Sequence, residues 1–316
     1  MDNEIRTDIF GRSVILASKR LKRPGHFNGR KDSVCPFCPG MEDNTEKTIL
    51  TLPNESNWKV RVFPNKFPVL TKKRFRPVHE NFFSTYTPSG IHELLVESRE
   101  HDKDYDEMAK SDILLVLEGL MQRYENLMKI EDVNYVTIFK NMGKAGGASL
   151  EHPHTQIIAA PLFPDEISRQ MDESEEYYKK ERECGNCVIL ENEIKKRKRM
   201  ILKNRHWAVY APFASIWPYE TVIIPRRHFS EMTEMKTEEM TSLAGIMKKI
   251  FAAYSRVLRK PPYNMMYYNF PRSDFWHFQI RIFPRLVTRA GFEFFGLNVN
   301  TKPPEDAARD LKKAIK

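Results

Sequence analysis

The chain of 316 residues has four cysteines, a modest 13 glycines and no long apolar run. Each shortage excludes something. No stretch approaches the roughly 18 apolar residues of a membrane span, and Met1-Asp2-Asn3-Glu4-Ile5-Arg6 lacks the apolar core of a secretory signal, so a cytoplasmic protein is expected. In that setting the cysteines point to metal binding rather than disulfides. No segment is biased enough in composition to be read as disordered. Against the few glycines stand 20 prolines and 20 phenylalanines, which suits ordered turns around an aromatic-rich core. With 41% hydrophobic residues the chain can bury a full core, as one large domain or as two of about 150 residues. Its 51 basic and 42 acidic residues give a formal charge of +9, an excess that favours anionic partners. Nucleotides and sugar phosphates satisfy it without nucleic acid.

One stretch concentrates the chemistry. Asn141 to Gln156 reads N-M-G-K-A-G-G-A-S-L-E-H-P-H-T-Q and lies between two apolar, strand-like runs. Gly143, Gly146 and Gly147 permit backbone angles that could turn amides towards an anion, and Ser149 adds a hydroxyl donor. His152, His154 and Gln156 then alternate with Pro153 and Thr155, so a period of two sets all three polar side chains on one face of an extended segment. The plainer alternative is a turn and a strand whose histidines are satisfied by hydrogen bonds.

Around this stretch the pattern of elements repeats. Trp58 to Phe63 and Ile91 to Glu97 read as strands, Asp106 to Ile130 as an amphipathic helix, and Val133 to Lys140 as the strand that delivers the motif. Lys72 to Pro88 has no periodicity and reads as a loop at the site entrance. After an acidic, helix-prone segment from Asp165 to Glu183, the order returns. His206 to Pro212 and Thr221 to Pro225 read as strands, Glu231 to Lys260 as a long helix, and Asn264 to Phe270 and Trp276 to Pro284 as closing strands. The expected fold class is α+β, with duplicated halves at 1–176 and 177–316, each an antiparallel sheet with a packed long helix. Lys195-Lys196-Arg197-Lys198-Arg199 reads as a solvated hairpin, with a nucleic-acid patch as the alternative.

The cysteines sharpen the repeat. Cys35-Pro36-Phe37-Cys38 is followed by His101 and His152, and Cys184-Gly185-Asn186-Cys187 by His228 and His277, so the His-to-His intervals nearly coincide. Each set offers two thiolates and two imidazoles, the donors of a closed tetrahedral zinc site that leaves no position for water. Both metals are therefore expected to be structural. If His277 matches His152, Gln279 stands where His154 stands, and the second half has no nucleophile. Four cysteines buried as small hydrophobes is the competing reading.

These residues resemble the active-site motif of the galactose-1-phosphate uridylyltransferase branch of the histidine-triad superfamily, where His-Pro-His-x-Gln follows an Asn and a Gly/Ser-rich loop. The resemblance implies histidine-triad-like halves. It makes His154 the nucleophile that takes up a nucleoside monophosphate, Gln156 the holder of the transferred phosphoryl oxygens with Ser149 beside it, and His152 a zinc ligand. It also implies substrate contacts at Asn141 and Gly147 and at Arg20 and Arg23, which with Pro24 match the family's Arg-x-x-Arg-Pro. Asn65 in Pro64-Asn65-Lys66-Phe67 would lie near the nucleoside, although a plain turn explains it too. A homodimer is implied as well. The best-known members build their second metal site from a carboxylate and a His-x-His, which Gln170 and His277-Phe278-Gln279 do not supply. The second Cys-x-x-Cys is similar instead to the relatives called ADP-glucose phosphorylases. Three functions follow as expectations: a hexose-1-phosphate uridylyltransferase, an adenylyl-transferring phosphorylase, or a zinc-stabilised nucleotide or nucleic-acid binder without catalysis.

Overall fold

Short runs alternating between two faces make strands, and apolar positions spaced three and four apart make helices. The computed structural model, which describes residues 3–8, 13–17 and 35–316, is built from both. The first half carries strands β1 (Glu4–Thr7), β2 (Ser13–Leu16), β3 (Leu50–Leu52), β4 (Val60–Pro64), β5 (Pro77–Glu80), β6 (Phe83–Tyr86) and β7 (Ile91–Val96). Helix α1 (Lys110–Met128), β8 (Tyr135–Met142) and β9 (His154–Ala160) complete it. Helices α2 (Asp165–Glu181) and α3 (Gly185–Lys196) lead to β10 (Met200–Lys203), β11 (Trp207–Tyr210) and β12 (Thr221–Pro225). Then come α4 (Thr237–Leu258), β13 (Tyr263–Tyr268), β14 (Gln279–Pro284) and α5 (Pro304–Ala314).

The fold is α+β, and its duplication is visible in the main sheet. Ten antiparallel strands run in the order β10-β11-β12-β14-β13-β8-β9-β7-β4-β3. Outward from the β8–β13 seam, β8, β9, β7, β4 and β3 correspond to β13, β14, β12, β11 and β10. Helix α1 lies between β7 and β8 as α4 lies between β12 and β13. Ile113, Val116, Leu117, Leu120, Tyr124 and Leu127 of α1 join Leu243, Met247, Ile250 and Tyr254 of α4 in one core over one face of the sheet. The spacing of those residues winds the apolar stripe onto the sheet. Helix α4 stops at Arg259, which takes a left-handed φ of 59°, because Pro261 and Pro262 offer no amide to extend it.

The opposite face carries three smaller clusters: Cys35, Phe37, Trp58, Phe63, Leu94 and Val96; Leu190, Met200, Tyr210 and Val222; and Tyr135, Ile167, Tyr268 and Trp276. The site sits on this face.

Several expectations are corrected. Residues 72–88 contain the hairpin β5–β6, which pairs with β1 and β2 in a separate four-stranded sheet. Much of its apolar surface stays exposed, Phe83 at 65%, so no buried face imposes a period that sequence could reveal. The first long helix begins at Lys110, because 104–108 form a turn in which the Met108 amide donates to the Asp104 carbonyl. Trp276 to Phe278 lie before β14, not in it. The basic run is not a hairpin: Lys195 and Lys196 end α3, and Arg199 is buried before β10. No helix among the described residues is long and apolar enough to cross a membrane.

Candidate functional site

Strand β9 enters the sheet between β8 and β7, with Thr155 beside Lys140 and Leu95 and Gln156 beside Phe139 and Leu94. Thr155, Ile157 and Ala159 turn towards the helices, which leaves His154 and Gln156 on the other face, as the alternation predicts. His154 is 4% exposed, and its ring meets Phe37 edge-on at 5.3 Å. Its Nδ1–H donates to the His152 carbonyl at 2.8 Å. That bond sets the tautomer and leaves the lone pair on Nε2.

Gln156 is oriented by a residue the sequence reading missed. The Val69 amide donates to Nδ1 of His92 at 3.2 Å, so Nε2–H of the neutral ring donates to Gln156 Oε1 at 3.1 Å. The Gln156 amide nitrogen is thereby turned away from His92. His92 was legible only as a residue of a strand; its role depends on the pairing of β7 with β9. Asn65 is buried against the same ring: its Oδ1 accepts from the Phe67 amide at 2.8 Å and its Nδ2 lies 3.1 Å from His92 Nε2. Asn65 therefore both makes a turn and joins the site.

The glycine loop closes on the second half of the chain. A Cβ on Gly146 would come within 2.7 Å of the Tyr263 carbonyl oxygen, so only glycine lets the loop press on β13. Asn264 of β13 donates through Nδ2 to Asn141 Oδ1 at 2.8 Å and to the Gly146 carbonyl at 2.7 Å. This tie across the seam was also missed. Gly146, Gly147 and Ala148 donate their amides within the loop, to the Gly143, Lys144 and Gly143 carbonyls. The amide of Gly147 holds the turn together, and left-handed φ at Gly143 and Gly147 folds the loop on itself. Ser149 is half-buried in the same connection. Arg20 and Arg23 lie outside the described residues.

Both Cys/His sets assemble. The donor atoms of Cys35, Cys38, His101 and His152 lie within 4.8 Å of one another, and so do those of Cys184, Cys187, His228 and His277. Cys38 Sγ is 3.5 Å from His101 Nδ1 and 3.6 Å from His152 Nδ1, while Cys187 Sγ is 3.3 Å from His228 Nδ1 and 3.4 Å from His277 Nδ1. His152 Nε2–H donates to the Ser98 carbonyl at 2.8 Å, which presents Nδ1 unprotonated to the thiols. Burial pushes the His152 imidazole down to about 4 and the Cys35 thiol up to about 11. A neutral imidazole suits a metal, and a bound cation would draw off the thiol proton. Either set could therefore hold one metal ion.

A family model described as galactose-1-phosphate uridyl transferase, N-terminal domain, matches residues 10–164, and its C-terminal counterpart matches 169–312. An ADP-glucose phosphorylase of Arabidopsis thaliana is 30% identical over 331 residues, covering 98% of this chain and 92% of that protein. A galactose-1-phosphate uridylyltransferase of Thermotoga maritima is 30% identical over 315 residues, covering 95% and 94%. Among solved structures, a uridylyltransferase superposes with a TM-score of 0.85 at 31% identity over 98% of both chains. A crystal structure of an ADP-glucose phosphorylase from Arabidopsis thaliana with bound ADP-glucose gives 0.79 at 27% identity over 99% of both. The chain belongs to the galactose-1-phosphate uridyl transferase family.

Proposed function

We propose that this protein is a nucleotidyltransferase that moves a nucleoside monophosphate from a nucleotide sugar to a hexose 1-phosphate through a nucleotidyl-histidine at His154. The observation that carries the reading is the Nδ1–H bond from His154 to the His152 carbonyl, which puts the nucleophilic lone pair on Nε2. Nε2 attacks the α-phosphorus, an N–P bond forms, and the bond from phosphorus to the bridging oxygen breaks. Sugar 1-phosphate leaves with that electron pair. An acceptor phosphate oxygen then attacks the same phosphorus, and His154 departs with its lone pair restored.

Gln156, its Oε1 held by His92, offers its amide hydrogens to the non-bridging oxygens as charge builds on them. Gln156 cannot carry a proton to or from water, which favours transfer over hydrolysis. Asn141, Ser149 and Asn65 complete the proposed nucleotide contacts, with Arg20 and Arg23.

Zinc is the metal that the two donor sets fit. Zn–S and Zn–N bonds of about 2.3 and 2.0–2.1 Å at a tetrahedral angle put sulfur and nitrogen about 3.5 Å apart. Five of the eight sulfur-to-nitrogen distances run from 3.3 to 3.8 Å, and all donor atoms of a set lie within 4.8 Å of one another. Bound there, zinc would brace the segment that precedes β9 and the start of α3. The four free thiols suit a cytoplasmic protein. A second copy of the chain is the partner proposed for the exposed Phe292, Phe294, Phe295 and Leu297.

A second reading, adenylyl transfer from ADP-glucose to phosphate, is favoured by the ADP-glucose phosphorylase relative that spans 98% of this chain. Incubation with UDP-glucose or ADP-glucose labelled in the α-phosphate separates the two. The nucleotide that leaves acid-labile label on His154 is the donor. If neither does, nor any other nucleotide sugar, the proposal is wrong.

A further inference from the structure

Behind the strand that carries His154 lies a buried group of charges. Lys140 of β8 is 0% exposed. Its Nζ donates to Glu97 Oε2 and, at 2.6 Å, to Asp104 Oδ1, and it sits 4.0 Å from the centre of the Tyr105 ring. Glu97 Oε1 accepts from Thr155 Oγ1 at 2.6 Å and from Tyr105 Oη at 3.0 Å, and Asp104 Oδ2 accepts from Tyr263 Oη at 2.9 Å. An apolar group of the same volume would fill this layer at least as stably, because desolvating charges is costly. Packing does not account for the cluster.

The points of attachment do. The Glu97 amide donates to the Pro153 carbonyl at 3.2 Å while its carboxylate holds Thr155. The next carbonyl, of Ser98, accepts from His152 Nε2 at 2.8 Å. Residues 97 and 98 therefore grip 152, 153 and 155, on both sides of His154. Asp104 stands three residues beyond His101, the other histidine of the first Cys/His set, and its bond from Tyr263 carries the grip across the seam into β13.

We infer that Glu97, Lys140 and Asp104 form a positioning unit for the transfer reaction, in which Thr155, held from the rear, keeps His154 and Gln156 in their geometry of attack and couples it to His101 and His152. None of the three touches the reacting atoms. The inference rests on the nucleotidyl-histidine reading. A nucleophile displaced by about 1 Å can lose about a hundredfold in rate while binding hardly changes.

Thr155→Val tests it, since valine keeps the branch at Cβ and the shape but loses the hydroxyl, and Glu97 Oε1 keeps Tyr105. The expected result is a rate of nucleotidyl-His154 formation in single turnovers lowered about tenfold or more, with donor affinity changed less than about twofold, both metals retained and the melting temperature little altered. Thr155→Ser should restore the rate. A wild-type rate in Thr155→Val overturns the inference, and so does a loss that follows metal content, or a raised KM with kcat unchanged. If the wild type itself never labels at His154, the parent reading has failed. Two-bond 1H–15N spectra of the His154 ring then decide: signals displaced in Thr155→Val and restored in Thr155→Ser support the positioning unit, and unchanged signals overturn it.

Discussion

His154 and Gln279 occupy equivalent places in the two halves. Each is the first residue of its strand, and each stands two residues beyond a fully buried histidine whose Nδ1 faces a cysteine sulfur. The equivalence runs across the sheet: Gln156, Phe139, Met266 and Arg281 follow one another strand to strand, so Arg281 answers Gln156. What differs is the connection. Three glycines fold the link from β8 to β9 against β13, whereas the link from β13 to β14 contains none.

Gln279→His should therefore leave the label at one nucleotide per chain, although it returns an imidazole to the equivalent position. His154→Ala should take it to zero. Quantifying protein-bound label after exposure to the donor sugar checks both. A second labelled histidine in Gln279→His would show that the glycine-rich link is dispensable.

Gln156→Ala should lower the rate of nucleotidyl transfer by about 10² to 10³, the usual cost of one lost donor to a charged transition state. His92→Phe should act in the same direction but more weakly, because Gln156 remains and only its orientation is released. Pre-steady-state rates, with donor affinity measured separately, distinguish this from a binding defect. Equal losses in the two variants would mean that His92 does more than hold the amide.

The two Cys/His sets should fill independently, so metal analysis should find two ions per chain in the wild type and one in Cys38→Ser or Cys187→Ser. Cys38→Ser should also cut labelling of His154 about tenfold or more, since His152 lies two residues from the nucleophile and supplies the carbonyl that holds it. Cys187→Ser should lower the melting temperature and largely spare the labelling, because its set anchors the start of α3 on the far side of the seam.

The sequence displayed what depends on a local period. The alternation of His152, His154 and Gln156 survives into the structure because β9 is regular, and the His-to-His intervals nearly coincide because the halves repeat. Contacts that depend on register between distant strands were hidden: His92 reaches Gln156 diagonally from β7, and Lys140 meets Glu97 only once β8, β9 and β7 are side by side. Helix α3 was missed because only Leu190 and Ile194 turn its short apolar face to the sheet. Glycine content revealed the freedom of the loop to turn but not that the amides of Gly146 and Gly147 donate within it.

The basic run separates a solvated charge cluster from a structural one. Lys195, Lys196, Arg197 and Lys198 are exposed, but Arg199 is buried, donating to Glu193 and, at 2.8 Å, to Glu305 of α5. Replacing the four exposed residues by alanine should change stability by less than about 0.5 kcal/mol each. Arg199→Ala strands the 2%-exposed side chain of Glu193 without its cation and should cost about 3–5 kcal/mol, the range for breaking a buried pair from one side. Urea denaturation measures both. If the run were a nucleic-acid surface, the fourfold alanine variant would lose a binding that weakens steeply with salt. The arrangement of Arg199 shows that this end of the run fastens α5 to the sheet, so its loss should register in stability and not in any binding by the four exposed residues.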